Sequence, residues 1–184
     1  MQVSRISSMS SSSKSPHDDR VLAEMLPGLG RTTEYDDSNP SCSETFATLR
    51  ITSDAIDPHE ISQRLQLSPS SAYRKGEPIS PRVATLRDHH GWLLSSEAQV
   101  QSQDVRRHLD WLLDQLLPRS PAYSALIAPG TEADIFVFWQ SRSGQGGPIL
   151  SPPQLSKLAL LQLEIIFDVY YSEPEAASDD DESS

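Results

Sequence analysis

Between residues 72 and 91 the chain sets Arg74, Lys75, Arg82, Arg87, His89 and His90 against only Glu77 and Asp88. Guanidinium and ammonium groups at that density bind carboxylates or phosphates, and Gly76 lets the backbone turn so that its basic neighbours point outward. Arg74, Lys75 and Arg82 are therefore candidates for an anion site or for contact with an acidic protein partner. A second candidate is a sheet surface: Arg50 and Asp168 fall in separate apolar runs, and Phe136, Phe138, Trp139 and Tyr170 add aromatic area. Whichever of these rings face outward beside Arg50 and Asp168 would form a binding surface. The third candidate is His108, three residues after Val105 and four before Leu112. That spacing puts it on the buried side of a helix, where a satisfied core histidine competes with a binding or catalytic one.

Other chemistry is poorly supported. Ser143-Gly144-Gln145-Gly146-Gly147 precedes a helix, as phosphate loops do, but Pro152 and Pro153 remove two amides that would face the phosphate, and no Gly-Lys-Ser/Thr follows. Asp88-His89-His90 has adjacent side chains that diverge in an extended segment, so no metal site is expected. There is no nucleophile elbow, Cys-His pairing, zinc helix or paired-carboxylate motif, and no cofactor is expected. The expectation is a small protein-interaction or binding module. The alternative is an enzyme of unrecognised type, accessory to a biosynthetic pathway, with His108, Asp168 or Arg74 converging in a pocket.

Of the 184 residues, 1–43 are Ser-rich and carry four bases against six acids, while 172–184 carry six acids and no base. Neither stretch has the apolar periodicity to offset its ordering entropy, so both are expected to be disordered tails around a single domain over 44–171, with a short helix near Asp19 to Leu26. The net charge of −11 leaves about −3 for that domain, too few bases to release counterions from a phosphate backbone, so nucleic acid is disfavoured as a partner. Cys42, the one cysteine, falls in the N-terminal tail and excludes a disulfide framework. No run approaches the ~18 apolar residues of a membrane span. A cytoplasmic setting is expected, a nuclear one stays open, and a mitochondrial transit peptide is disfavoured.

These candidates need a scaffold. Phe46 to Thr52 alternates as a half-buried strand, and residues 133–140 and Leu163 to Tyr171 form two more, with Trp92-Leu93-Leu94 starting another. A short strand over Ala72 to Lys75 is the only other element expected in the loop. Val105, Leu109, Leu112 and Leu116 predict a helix from about Gln103 to Leu117, stopped by Pro118. Asp57-Pro58 and Ser151-Pro152, each with Glu or Gln three residues after the cap, predict two further helix entries as capping boxes. Two strand-helix-strand units joined by the long helix imply an α+β, ferredoxin-like sandwich of four to five strands with helices mainly on one face.

The set Ala47-Thr48-Leu49-Arg50-Ile51, Asp57-Pro58, Tyr73-Arg74-Lys75-Gly76, Gly91-Trp92-Leu93-Leu94, His108-Leu109-Asp110-Trp111-Leu112-Leu113, Gly146-Gly147, Leu150-Ser151-Pro152 and Phe167-Asp168-Val169-Tyr170-Tyr171 resembles the family called domain of unknown function 4279, over about 44–171. The resemblance implies a small domain without an assigned activity and, as for some relatives, an immunity-protein-like role beside a toxin. The serine-rich head and acidic tail depart from the compact family pattern.

Overall fold

The structure is a computed structural model and describes residues 33–171. The head up to residue 32, the helix expected near Asp19 to Leu26 and the acidic tail over 172–184 lie outside the described residues. Strands β1 (Cys42–Ser53), β2 (Ser71–Tyr73), β3 (His90–Ser95), β4 (Thr131–Ser141) and β5 (Glu164–Tyr171) and helices α1 (Pro58–Leu65), α2 (Val105–Leu116), α3 (Ser120–Leu126) and α4 (Pro152–Leu161) follow one another in the order β1-α1-β2-β3-α2-α3-β4-α4-β5. The strands form one open sheet in the order β2-β3-β1-β4-β5. Every pairing is antiparallel except β4 with β5, so the fold is α+β with a mixed sheet.

Alternation in β1 and β4 makes the sheet two-faced. Ala47, Leu49 and Ile51 lie opposite Val137, Ile135 and Ala133 and point at the helices, where Ile61, Leu65, Leu109, Leu112, Leu116, Leu158 and Leu161 close over them. Burying each of these leucine and isoleucine side chains contributes ~1.5–3 kcal/mol, so this single cluster dominates the stability of the domain.

Several elements depart from expectation. β1 and β3 run antiparallel, because the chain first turns back through the three residues of β2. β2 is thus parallel to β1 with β3 between them, whereas β4 and β5 are adjacent, so the two strand-helix-strand units are not equivalent. Nor are their caps. Asp57 accepts from the His59 amide at 2.8 Å, but Ser151 makes no side-chain cap; two prolines follow it, and its Oγ accepts from Arg106 Nη1 at 3.1 Å instead. Neither capping box closes, since Glu60 pairs with Arg64 and Gln154 turns inward to Asp110 and Thr33. Pro118 ends α2 without ending the helical path: a 3-10 turn over Leu117–Arg119 leads into α3, which carries Pro121 in its first turn and buries Tyr123 and Leu126.

The boundary expected at residue 44 also moves. Cys42 is buried at the start of β1, and residues 35–37 lie against the polar side of α2. Tyr35 donates to Asp110 at 2.8 Å, the Asp36 amide donates to Asp104 at 2.8 Å, and Arg107 clasps Asp37 with Nε and Nη2 at 2.6 and 2.7 Å. Polar bonds hold this segment in place, and apolar periodicity cannot register them.

Asp104 is the N-cap of α2. It is buried, and it accepts from the Asp36 and Arg106 amides and the Arg106 guanidinium. Burial opposes its ionisation, but these hydrogen bonds outweigh it and hold the carboxyl below the usual carboxylate range. Replacing Asp104 by Ala should therefore cost about 2 kcal/mol, whereas Ser151→Ala should stay within ~0.5 kcal/mol. Urea midpoints of the two variants check this, and equal losses would contradict it.

Candidate functional site

The face of the sheet opposite the helices carries the residues whose parity in each strand excludes them from the core. Strand register sets them in rows. One row runs Ser71, Leu93, Arg50, Asp134 and Glu164; the next runs Ser95, Thr48, Phe136 and Ile166; then come Phe46, Phe138 and Asp168, and finally Glu44, Gln140 and Tyr170. Arg50 binds Asp134 through Nε and Nη2 at 2.7 and 2.9 Å and stacks its guanidinium 5.0 Å from the Phe136 ring centre. Phe46 and Phe138 stack at 4.9 Å, Phe138 and Tyr170 lie 5.3 Å apart, and Tyr170 donates to Asp168 at 2.7 Å. That bond, reinforced by the negative charge of Asp168, raises the Tyr170 pKa. The result is a continuous strip of aromatic rings, partly to half exposed, bordered by one internally matched ion pair and by the carboxylates of β5.

Of the candidate residues, Arg50, Asp168 and Tyr170 come together here with Phe136 and Phe138. Phe46 joins them although it was not singled out; it shares parity with Thr48, Arg50 and Thr52, and that was the available signal. Trp139 does not join. It shares parity with Ile135 and Val137, is 1% exposed on the helix side, and its indole N–H has no acceptor among the described residues.

Arg74, Lys75 and Arg82 are exposed but are not gathered into an anion site. Arg74 Nε donates to Asp57 at 2.6 Å, and Lys75 reaches Asp54 at 3.4 Å, so each meets a carboxylate of its own chain. The Arg74 bond and charge hold the Asp57 carboxyl below its usual range. Arg87 lies 3.7 Å over the Tyr73 ring, and that ring covers Gly91 so closely that any β-carbon there would collide with it. The cleft beside Arg74 is about 220 Å³ and shallow, lined by Pro58, His59, Ser62 and Tyr73.

His108 is 1% exposed and cannot touch a partner. Its Nε2 lies 3.0 Å from the Ser102 carbonyl, so that nitrogen carries the proton, and Nδ1 is 2.8 Å from Ser96 Oγ. Ser96 in turn accepts from the Ala47 amide, splicing α2 to the middle of β1. His108, Asp168 and Arg74 thus occupy three separate places among the described residues. Gly144 and Gly146 adopt positive φ in the loop before α4 and serve the chain's return there. Among the described residues no group of three or more His, Cys, Asp or Glu could hold a metal ion, and no helix is long and apolar enough to cross a membrane.

A family model described as Domain of unknown function (DUF4279) matches residues 43–172. No curated protein and no solved structure matches the chain.

Burial lowers the His108 pKa below its ordinary value. The unfolded chain therefore binds a proton near pH 6.5 that the folded protein refuses, and stability falls as the pH drops below that value. Melting temperature should decline between pH 7 and 5, and His108→Gln should flatten the decline. Burial also pushes the Cys42 thiol up to about 11. At pH 8, iodoacetamide should label Cys42 ~100-fold more slowly in the folded protein than in urea, followed by mass spectrometry.

Proposed function

The chain belongs to the DUF4279 family, and from that premise we propose that it is a protein-interaction module that docks its partner on the open face of the sheet. The observation that carries this is the strip of Phe46, Phe136, Phe138, Ile166 and Tyr170, left uncovered by the helices, whose buried apolar residues pack on the opposite face. Rigid aromatic groups on a flat support supply contact area at low entropic cost, which is what interfaces use as anchors. An enzyme would need its titratable groups to converge, and the separation of His108, Asp168 and Arg74 argues against that reading. An immunity-protein-like role is one form of this function, in which a small domain covers a second protein with one flat surface.

The scaffold is read as a ferredoxin-like sandwich with an added unit. The order β1-α1-β2-β3-α2-β4, with β4, β1, β3 and β2 side by side and antiparallel, supports this. On this reading α4 and β5 extend the sheet by one parallel strand and enlarge the open face. A cytoplasmic setting suits a chain whose one thiol is buried and unpaired. The expectation of an acidic partner rested on the basic loop, and the internal pairing of Arg74 and Lys75 weakens it.

Affinity capture from the native cell, with quantitative mass spectrometry, tests the proposal. Phe46→Ser with Phe138→Ser should reduce the recovered partner at least tenfold, with urea midpoints confirming that the fold survives. Arg74→Ala, Lys75→Ala and Arg82→Ala together should leave recovery within about twofold. The opposite pattern would move the interface to the basic loop.

A further inference from the structure

The two edges of the sheet are unequal. β2 is three residues long and is blunted by Pro69 on one side and Gly76 and Pro78 on the other, a common way of closing an edge to further pairing. β5 is eight residues long, about 26 Å, contains no Pro, Gly or Lys, and leaves its outer row of backbone groups unpaired by any strand among the described residues. Eight of the twelve large exposed apolar residues among those described fall between 149 and 171, so apolar exposure concentrates around this edge. Phe167 and Val169, 38% and 55% exposed, present it on the helix side; Ile166 and Tyr170 do so on the open side.

The charge here has one sign. Glu164 and Asp168 lie on the open face of β5, neither pairs with a cation among the described residues, and six acids follow within residues 172–184. We propose that β5 accepts an added strand from a basic partner: an extended segment whose apolar side chains meet Phe167 and Val169 while lysines or arginines meet Asp168 and Glu164. A second copy of this chain would bring another −11 and no base in its own β5, so charge complementarity selects the basic strand. The inference rests on the interaction-module reading and names the chemistry of the partner.

The test uses the full chain and a labelled eight-residue peptide alternating valine and lysine, by fluorescence anisotropy, with hydrogen exchange read on residues 164–171. Expected are saturable binding, slowed exchange within β5, at least tenfold loss for one of two peptides N-methylated at alternate positions, and no binding of a valine–glutamate peptide. Glu164→Lys with Asp168→Lys should invert the preference between the two peptides. Equal binding of both methylated peptides, or protection elsewhere, would overturn strand addition. Protection of β5 without peptide, with sedimentation showing a dimer, would assign the edge to a second copy and overturn the basic partner. Phe46→Ser with Phe138→Ser should leave peptide affinity within about twofold, so failure of the edge proposal and failure of the open-face proposal are separable.

Discussion

Everything else in the molecule is hung on the register of β1, which pairs along its length with β4 on one side and with β3 on the other. Because side chains alternate with a period of two, a slip of one residue would exchange Ala47, Leu49 and Ile51 for Phe46, Thr48 and Arg50 against the helices. Burying the Arg50 guanidinium there, away from Asp134, would cost several kcal/mol. In place, the ion pair is about one-third exposed on both sides, and such pairs contribute at most ~1 kcal/mol to stability. Its value is positional: one correct register satisfies both the apolar face and the ion pair.

α2 transmits that register to the rest of the chain. Its apolar stripe closes the core, while its outer side receives residues 35–37 through Asp104, Arg107 and Asp110, and α4 through Lys157, which bridges Asp110 and Asp114 at 2.7 Å each. Burial works against the Lys157 charge, but the two carboxylates more than compensate and raise its pKa. The helix is thus held by apolar contact on one side and by charge-assisted hydrogen bonds on the other, and the Arg50–Asp134 pair remains the structural element of the open sheet face.

The parts legible in the sequence were those governed by local period: the alternation of β1 and β4, the 3.6-residue stripe of α2, and the burial of His108 that follows from it. Strand direction is not encoded in period, so the antiparallel pairing of β1 with β3 was not legible there, and the three residues of β2 carry too little pattern to supply it. α3 was hidden by Pro118 and Pro121, which act as first-turn residues here and read as breakers. For Ser151 the deciding partner was Arg106, 45 positions away, and for Arg74 it was Asp57, 17 positions away beyond a whole helix. Such pairings depend on the finished fold. The identity of the open face lies between these cases: parity alone would have placed Phe46 outward and Trp139 inward once their strands were drawn.

The place of β1 in the middle of the sheet also sets a timetable. The Thr45 hydroxyl reaches the Phe138 carbonyl across 93 positions, and Arg50 reaches Asp134 across 84. A ribosome adding ~5–20 residues per second needs roughly 5–20 s to cover that gap. During that interval Ala47, Leu49 and Ile51 have left the exit tunnel with one of their two neighbours still unmade. Loop closure over so long a separation is paid before any contact rewards it, which makes this a slow-folding topology for its size. The strand that organises the finished protein is therefore the one that nascent-chain chaperones have the most time to meet.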